Sequence, residues 1–157
     1  MQLAPTTDIA LRAVMRLAVG ETEDARITIG LIARSVGASE RIVARAVTLL
    51  TGFGLVEVQR GRSGGLTLTP AGHTIRIGEL IRLLEDDREV VECTGDRPCP
   101  LIAGCRLRRA LADATAAFYA VLDEYTVESM VAGPSAQLLR LLAVTPARTP
   151  EENEDTP

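Results

Sequence analysis

All three cysteines of the chain fall in one short stretch, ECTGDRPCPLIAGCRLRR, from Glu92 to Arg109. Cys93, Cys99 and Cys105 are separated by five residues each time. Thiolate is the soft ligand that selects zinc, copper(I) or iron–sulfur clusters. A disulfide framework wants an even count in a secreted chain, and here the count is odd with no signal peptide in view. Gly95, Pro98, Pro100 and Gly104 break the stretch, so the thiols sit on a loop rather than along one face of a helix or strand. Structural zinc sites usually pair their cysteines two to four residues apart, which these spacings fit poorly. A cluster is larger than a single ion and suits wider loops, but it generally takes four protein ligands. The fourth must be another residue type, a small molecule, or a residue of a second subunit.

Something must hold that loop. The chain has 157 residues, 46% of them hydrophobic, enough for one ordinary domain or a small domain with an extension. No apolar run approaches the roughly 20 residues of a membrane span, and nothing at the N-terminus reads as a targeting segment. The expectation is a cytoplasmic protein, in a compartment that keeps thiols reduced. With one histidine there is no Ser/His/Asp constellation, so an enzyme is not expected. The net charge of −4 argues weakly against nucleic acid, but its distribution does not. Residues 1–70 hold 8 Arg against 6 acids, a balance of +2; residues 71–157 hold 9 against 15, a balance of −6.

In the first half, Thr6 or Thr7 is positioned to cap a helix from Asp8 to about Val19. Asp8 itself reads as an acid suited to the helix dipole, within reach of Arg12 one turn on. Thr28 opens a second helix, stopped by Gly37. Ser39 is the N-cap of a third, from Glu40 to about Phe53, with Val43, Ala46, Val47, Leu50 and Phe53 on its core face. Two short helices joined by a glycine-containing turn form a helix-turn-helix pattern. Ser39, Arg41, Arg45 and Thr48 are then the candidate DNA contacts of the recognition helix. Leu55, Val56 and Val58 belong to one strand and Leu66 and Leu68 to another. Between them RGRSGG forms a basic, glycine-rich turn whose Arg60, Arg62, Ser63 and Gly64 suit phosphates or a minor groove. This turn lacks the Gly-Lys-Ser/Thr ending of a nucleotide loop.

A further helix follows Thr69-Pro70, interrupted or bent near Gly72 and reaching about Glu85; the lone His73 reads as a surface or capping residue. After the cysteine loop, a long helix runs from Arg106 to about Tyr125. Its Leu107, Leu111, Ala114, Phe118, Val121 and Tyr125 are spaced 4, 3, 4, 3, 4, the seam of a two-helix contact. Shorter helices are expected over Val127–Ala132 and Ala136–Val144. The fold class is therefore mainly α: a winged helix-turn-helix with a two-stranded wing, a cysteine cluster loop and a long dimerisation helix. The organisation is a DNA-binding domain over 1–78, a cluster-binding loop and dimerisation helices over 79–145, and a disordered acidic tail over 146–157.

The motifs TTDIALRAVMRLA, RGRSGGLTLT and CTGDRPCPLIAGCRLRRAL, within a match covering roughly residues 1–132, resemble the bacterial iron–sulfur transcription regulators of the IscR, RirA and NsrR kind. The resemblance is nearest to the nitric-oxide-sensing repressors of that family. It implies a homodimeric repressor bound to a palindromic double-stranded DNA operator, with nitric oxide as the signal. It further implies that Cys93, Cys99 and Cys105 hold a 4Fe–4S cluster, or alternatively 2Fe–2S, with Asp8 of the partner subunit as the fourth ligand. Arg12 would take up Asp8 once released, as a switch. An iron- or redox-sensing member of the same family, or a zinc- or thiol-based regulator, is the alternative. The recognition segment SERIVARAV departs from the relatives.

Overall fold

The computed structural model describes residues 2–20, 26–59, 61, 64–85, 90–91 and 93–144. Helix α1 (Pro5–Ala18) starts a little before the expected Asp8. Pro5 is at the first helical position, where its fixed φ and missing N–H cost the helix nothing. Thr6 and Thr7 therefore lie inside the helix and neither caps it. Ile9, Ala10, Ala13, Val14 and Leu17 form the buried face of α1. It packs chiefly on α3 (Glu40–Gly52), whose Val43, Ala46, Val47 and Leu50 are buried opposite.

Helix α2 (Ile29–Val36) is capped as expected, the Thr28 hydroxyl accepting the Leu31 N–H at 3.1 Å. Gly37 ends it at φ 66°, and Gly54 turns the chain after α3 at φ 70°, conformations in which a Cβ would be strained. Ser39 occupies the N-cap of α3, but its side chain makes no capping bond. Phe53, expected on the core face, is 40% exposed. The helix ends at Gly52, so Phe53 is the C-cap residue, beyond the turn that would carry it inward.

Strands β1 (Val56–Gln59) and β2 (Gly65–Leu68) pair antiparallel, with Val56 opposite Leu68 and Gln59 opposite Gly65. Val56 and Leu66 face the core. The Leu66 N–H also donates to the Ile27 carbonyl at 2.8 Å, so the base of the wing is tied to the segment before α2.

The helix expected over 70–85 with an interruption or bend near Gly72 is two helices, α4 (Pro70–Thr74) and α5 (Ile77–Glu85), with the break a few residues later. The break falls at Ile75–Arg76 because that backbone pairs elsewhere. Ile77 N–H donates to the Tyr125 carbonyl at 2.9 Å and Val127 N–H to the Ile75 carbonyl at 3.2 Å, an antiparallel bridge between Arg76 and Thr126. Helix α6 (Arg106–Leu122) stops before Tyr125. It is followed by α7 (Val127–Met130), with a Thr126/Ser129 capping box, and by α8 (Pro134–Val144), which packs on α2. The core joins α1, α2, α3, the wing base and α5, with Val127 of α7 fully enclosed. Helix α6 buries no residue.

Candidate functional site

The cysteine loop joins the C-terminal end of α5 to the N-terminal end of α6. Its backbone is folded on itself: Cys99 N–H donates to the Cys93 carbonyl at 3.1 Å, and Ile102 N–H to the Cys99 carbonyl at 3.0 Å. Cys93 is buried; Cys99 and Cys105 are half-buried, and none of the three is in a disulfide. Cys105 is the N-cap of α6, its Sγ accepting the Arg108 N–H at 3.4 Å. A thiolate at that position lies at the positive end of the helix dipole. A cavity of about 410 Å³ opens beside it, lined by Ile102, Cys105, Arg106, Arg108 and Arg109 among others.

Asp8 and Arg12 form a forked ion pair, with Nε to Oδ1 and Nη2 to Oδ2 both at 2.9 Å. Their side chains are 45% and 53% exposed, so the pair is open to water. Among the described residues, no three His, Cys, Asp or Glu side chains converge into a group that would hold a metal ion. The chain alone thus does not gather Asp8 with the cysteines. The first turn of α1 is nonetheless fastened to the α5 end of the loop, where Glu85 Oε1 accepts the Ala4 N–H at 2.7 Å.

Of the expected DNA contacts, Ser39, Arg41, Arg45 and Thr48 are all exposed on α3. Neither arginine is in an ion pair among the described residues. The Thr48 hydroxyl is spent on the Ala44 carbonyl at 2.9 Å, which leaves it as an acceptor only. Gly64 closes the wing turn, donating to the Gly61 carbonyl at 2.9 Å. Arg60, Arg62 and Ser63 lie outside the described residues.

The Rrf2 family profile, described as an iron-dependent transcriptional regulator, matches residues 3–133. The chain belongs to the Rrf2 family. It is 48% identical over 147 residues to the HTH-type transcriptional repressor NsrR of Streptomyces coelicolor, covering 94% of this chain and 99% of that one. It is 35% identical over 133 residues to the HTH-type transcriptional regulator NsrR of Bacillus subtilis, covering 83% and 90%. CymR, the global cysteine regulator of B. subtilis, is similar in structure at a TM-score of 0.62 and 26% identity, covering 83% of this chain and 95% of that one. IscR of T. potens shares the fold at a TM-score of 0.65 and 21% identity, covering 83% and 86%.

As an Rrf2 protein, this chain is a DNA-binding transcriptional regulator with a winged-helix fold, in a family of repressors and regulators rather than enzymes. Among the described residues no helix is long and apolar enough to cross a membrane. Three features of this Rrf2 chain went unread in its sequence. The arginines 106, 108 and 109 around Cys105 were visible in CRLRR, had their charge been set against the neighbouring thiol. The Glu85 contact with Ala4 spans 81 residues and leaves no local signal. Arg16 is fully buried on α1 with Nε and Nη2 unpartnered; only its Nη1 donates, to the Gly20 carbonyl at 3.2 Å. Burial lowers the pKa of its guanidinium.

Proposed function

We propose that the protein is a homodimeric repressor whose hold on operator DNA depends on an iron–sulfur cluster that senses nitric oxide. The observation that carries this reading is the donor set: three thiols confined to one loop, the last of them capping α6. Three soft thiolates suit an iron–sulfur cluster, and the arginines beside Cys105 suit its negative charge. Cys93, Cys99 and Cys105 would hold it, with Asp8 of the partner subunit as the fourth ligand. The cluster, 4Fe–4S on this reading and 2Fe–2S as the alternative, would supply iron reactive toward nitric oxide. A carboxylate is the hardest of the four ligands and the readiest to leave.

What the chain itself does follows from the Asp8–Arg12 fork. A carboxylate released from a partner's loop has a waiting guanidinium one turn away on its own helix. The exchange frees α1, and with it the winged helix, from the partner's loop. The dimer would be built on the stripe of α6, which includes Leu107, Phe118 and Val121. Leu107 and Val121 are 64% and 57% exposed within the chain. Two recognition helices related by a twofold axis suit a palindromic operator. A coupling of about 1–3 kcal/mol between cluster and DNA would change affinity roughly 5- to 150-fold.

The test is an anaerobic absorption spectrum with iron and sulfide counted per chain, before and after nitric oxide, alongside DNA binding. About four irons per chain, with absorbance bleached and DNA released by nitric oxide, is the expected result. About two irons, with loss on iron depletion instead, identifies an iron or redox sensor. Zinc without sulfide overturns the cluster reading and leaves the DNA-binding unit standing. Asp8→Ala is expected to keep cluster absorbance but change its response to nitric oxide.

A further inference from the structure

Helix α6 meets the rest of its chain chiefly through α5, and the strongest ties gather at its C-terminal end. Arg82 of α5 reaches Asp123, the C-cap of α6, with Nη2 at 2.9 Å from Oδ1 and 2.7 Å from Oδ2. The same guanidinium lies 4.8 Å from the centre of the Tyr119 ring. Beneath them is Gly78, buried, where a Cβ would collide with Asp123 Oδ1 and come within 2.8 Å of the Tyr119 carbonyl. The Arg76–Thr126 bridge closes the same corner from the backbone side. The cysteine loop is at the other end of α6.

The chemistry of this corner fixes an angle as well as a contact. Nη2 alone bridges both Asp123 oxygens, and the planar guanidinium also lies over the Tyr119 ring, so the ion pair and the flat ring contact together restrict its tilt. An ammonium on the same stem would keep the charge and lose the tilt. Helix α6, at 17 residues, is a rod of about 25 Å. A tilt of about 8° about the corner displaces a point about 25 Å away by about 3.4 Å, the rise of one base pair. If two α6 helices form the dimer core, each winged helix hangs from its α6 by this corner.

We propose that Arg82 and Asp123 are a positioning pair that sets the angle between the winged helix and α6, and so fixes the half-site spacing the dimer accepts on DNA. The proposal rests on the α6-built dimer described above. On this proposal they act through the placement of α3 rather than by contacting DNA.

The experiment is selection of binding sites from a randomised duplex library by full-length, cluster-loaded protein prepared without oxygen. Wild type, Arg82→Ala, Arg82→Lys and Asp123→Asn are compared. The readout is the distribution of distances between enriched half-sites, with melting temperature and cluster absorbance recorded for each protein. Wild type is expected to enrich one spacing. Arg82→Ala and Asp123→Asn are expected to spread enrichment over several spacings a base pair apart, with cluster absorbance unchanged. Arg82→Lys is the deciding variant. Its spacing spreads like that of Arg82→Ala if the planar guanidinium over Tyr119 matters, whereas a single wild-type spacing with Lys means the charge only supports the fold and overturns the proposal. A single spacing in all four proteins overturns it too. Enrichment of isolated half-sites by the wild type overturns the dimer reading, and the positioning role falls with it.

Discussion

Asp8 shows how little stability an exposed ion pair need carry for its geometry to matter. Its fork with Arg12 is an i, i+4 pair open to solvent on both sides, worth about 0.3–0.5 kcal/mol. Asp8→Ala in the cluster-free protein is therefore expected to lower the melting temperature by no more than about 2 °C, measured by calorimetry. A larger loss would make Asp8 a structural residue and weaken its role as a releasable ligand. Its neighbour two turns on, Arg16, has the opposite character. There the guanidinium is enclosed and only one nitrogen is bonded, yet nothing in the string RAVMRLA separates the two arginines. Both fit the same helical period, and only packing from distant segments decides which is covered.

The residues of helix α3, the proposed recognition helix, divide cleanly by face. Val43, Ala46, Val47 and Leu50 are buried while Arg41 and Arg45 are exposed. Arg41 is on the first turn, where recognition helices meet base edges. Arg41→Ala is expected to cost about 1–3 kcal/mol on a selected operator and to relax specificity at one position. Fluorescence anisotropy against operator and scrambled duplexes checks this; an equal loss on both makes Arg41 a phosphate contact. At this scale the sequence was most legible. Thr28, Gly37 and Gly54 punctuate the helices because capping and positive φ are local demands. The wing was legible because strand alternation and a glycine turn are local too. What failed was non-local. The break at Ile75–Arg76 is imposed by backbone pairing with residues 50 positions away, and the Arg82–Asp123 pair spans 41. The cysteine loop stood out from residue type alone, but the capping of α6 by Cys105 did not.

At the scale of the whole molecule, α6 is held to its own chain through α5, while Leu107 and Val121 of its apolar stripe stay exposed. It buries nothing, yet it repeats apolar residues at the spacing of a two-helix seam. Phe118 is near the middle of that stripe. Phe118→Asp is expected to convert a dimer to a monomer, read by sedimentation, and to abolish cooperative occupancy of paired half-sites. The winged helix should stay folded, since the α6 side chains packed against its core are Tyr119 and Leu122, not Phe118. A dimer that survives this change would move the interface elsewhere. The bare face of α6 has one more consequence. If a second copy covers that face, as proposed, folding free energy depends on how many copies are present. Each tenfold dilution would remove about 1.4 kcal/mol of association free energy. The cell's supply of this protein would then help determine, through mass action alone, how durable each molecule is.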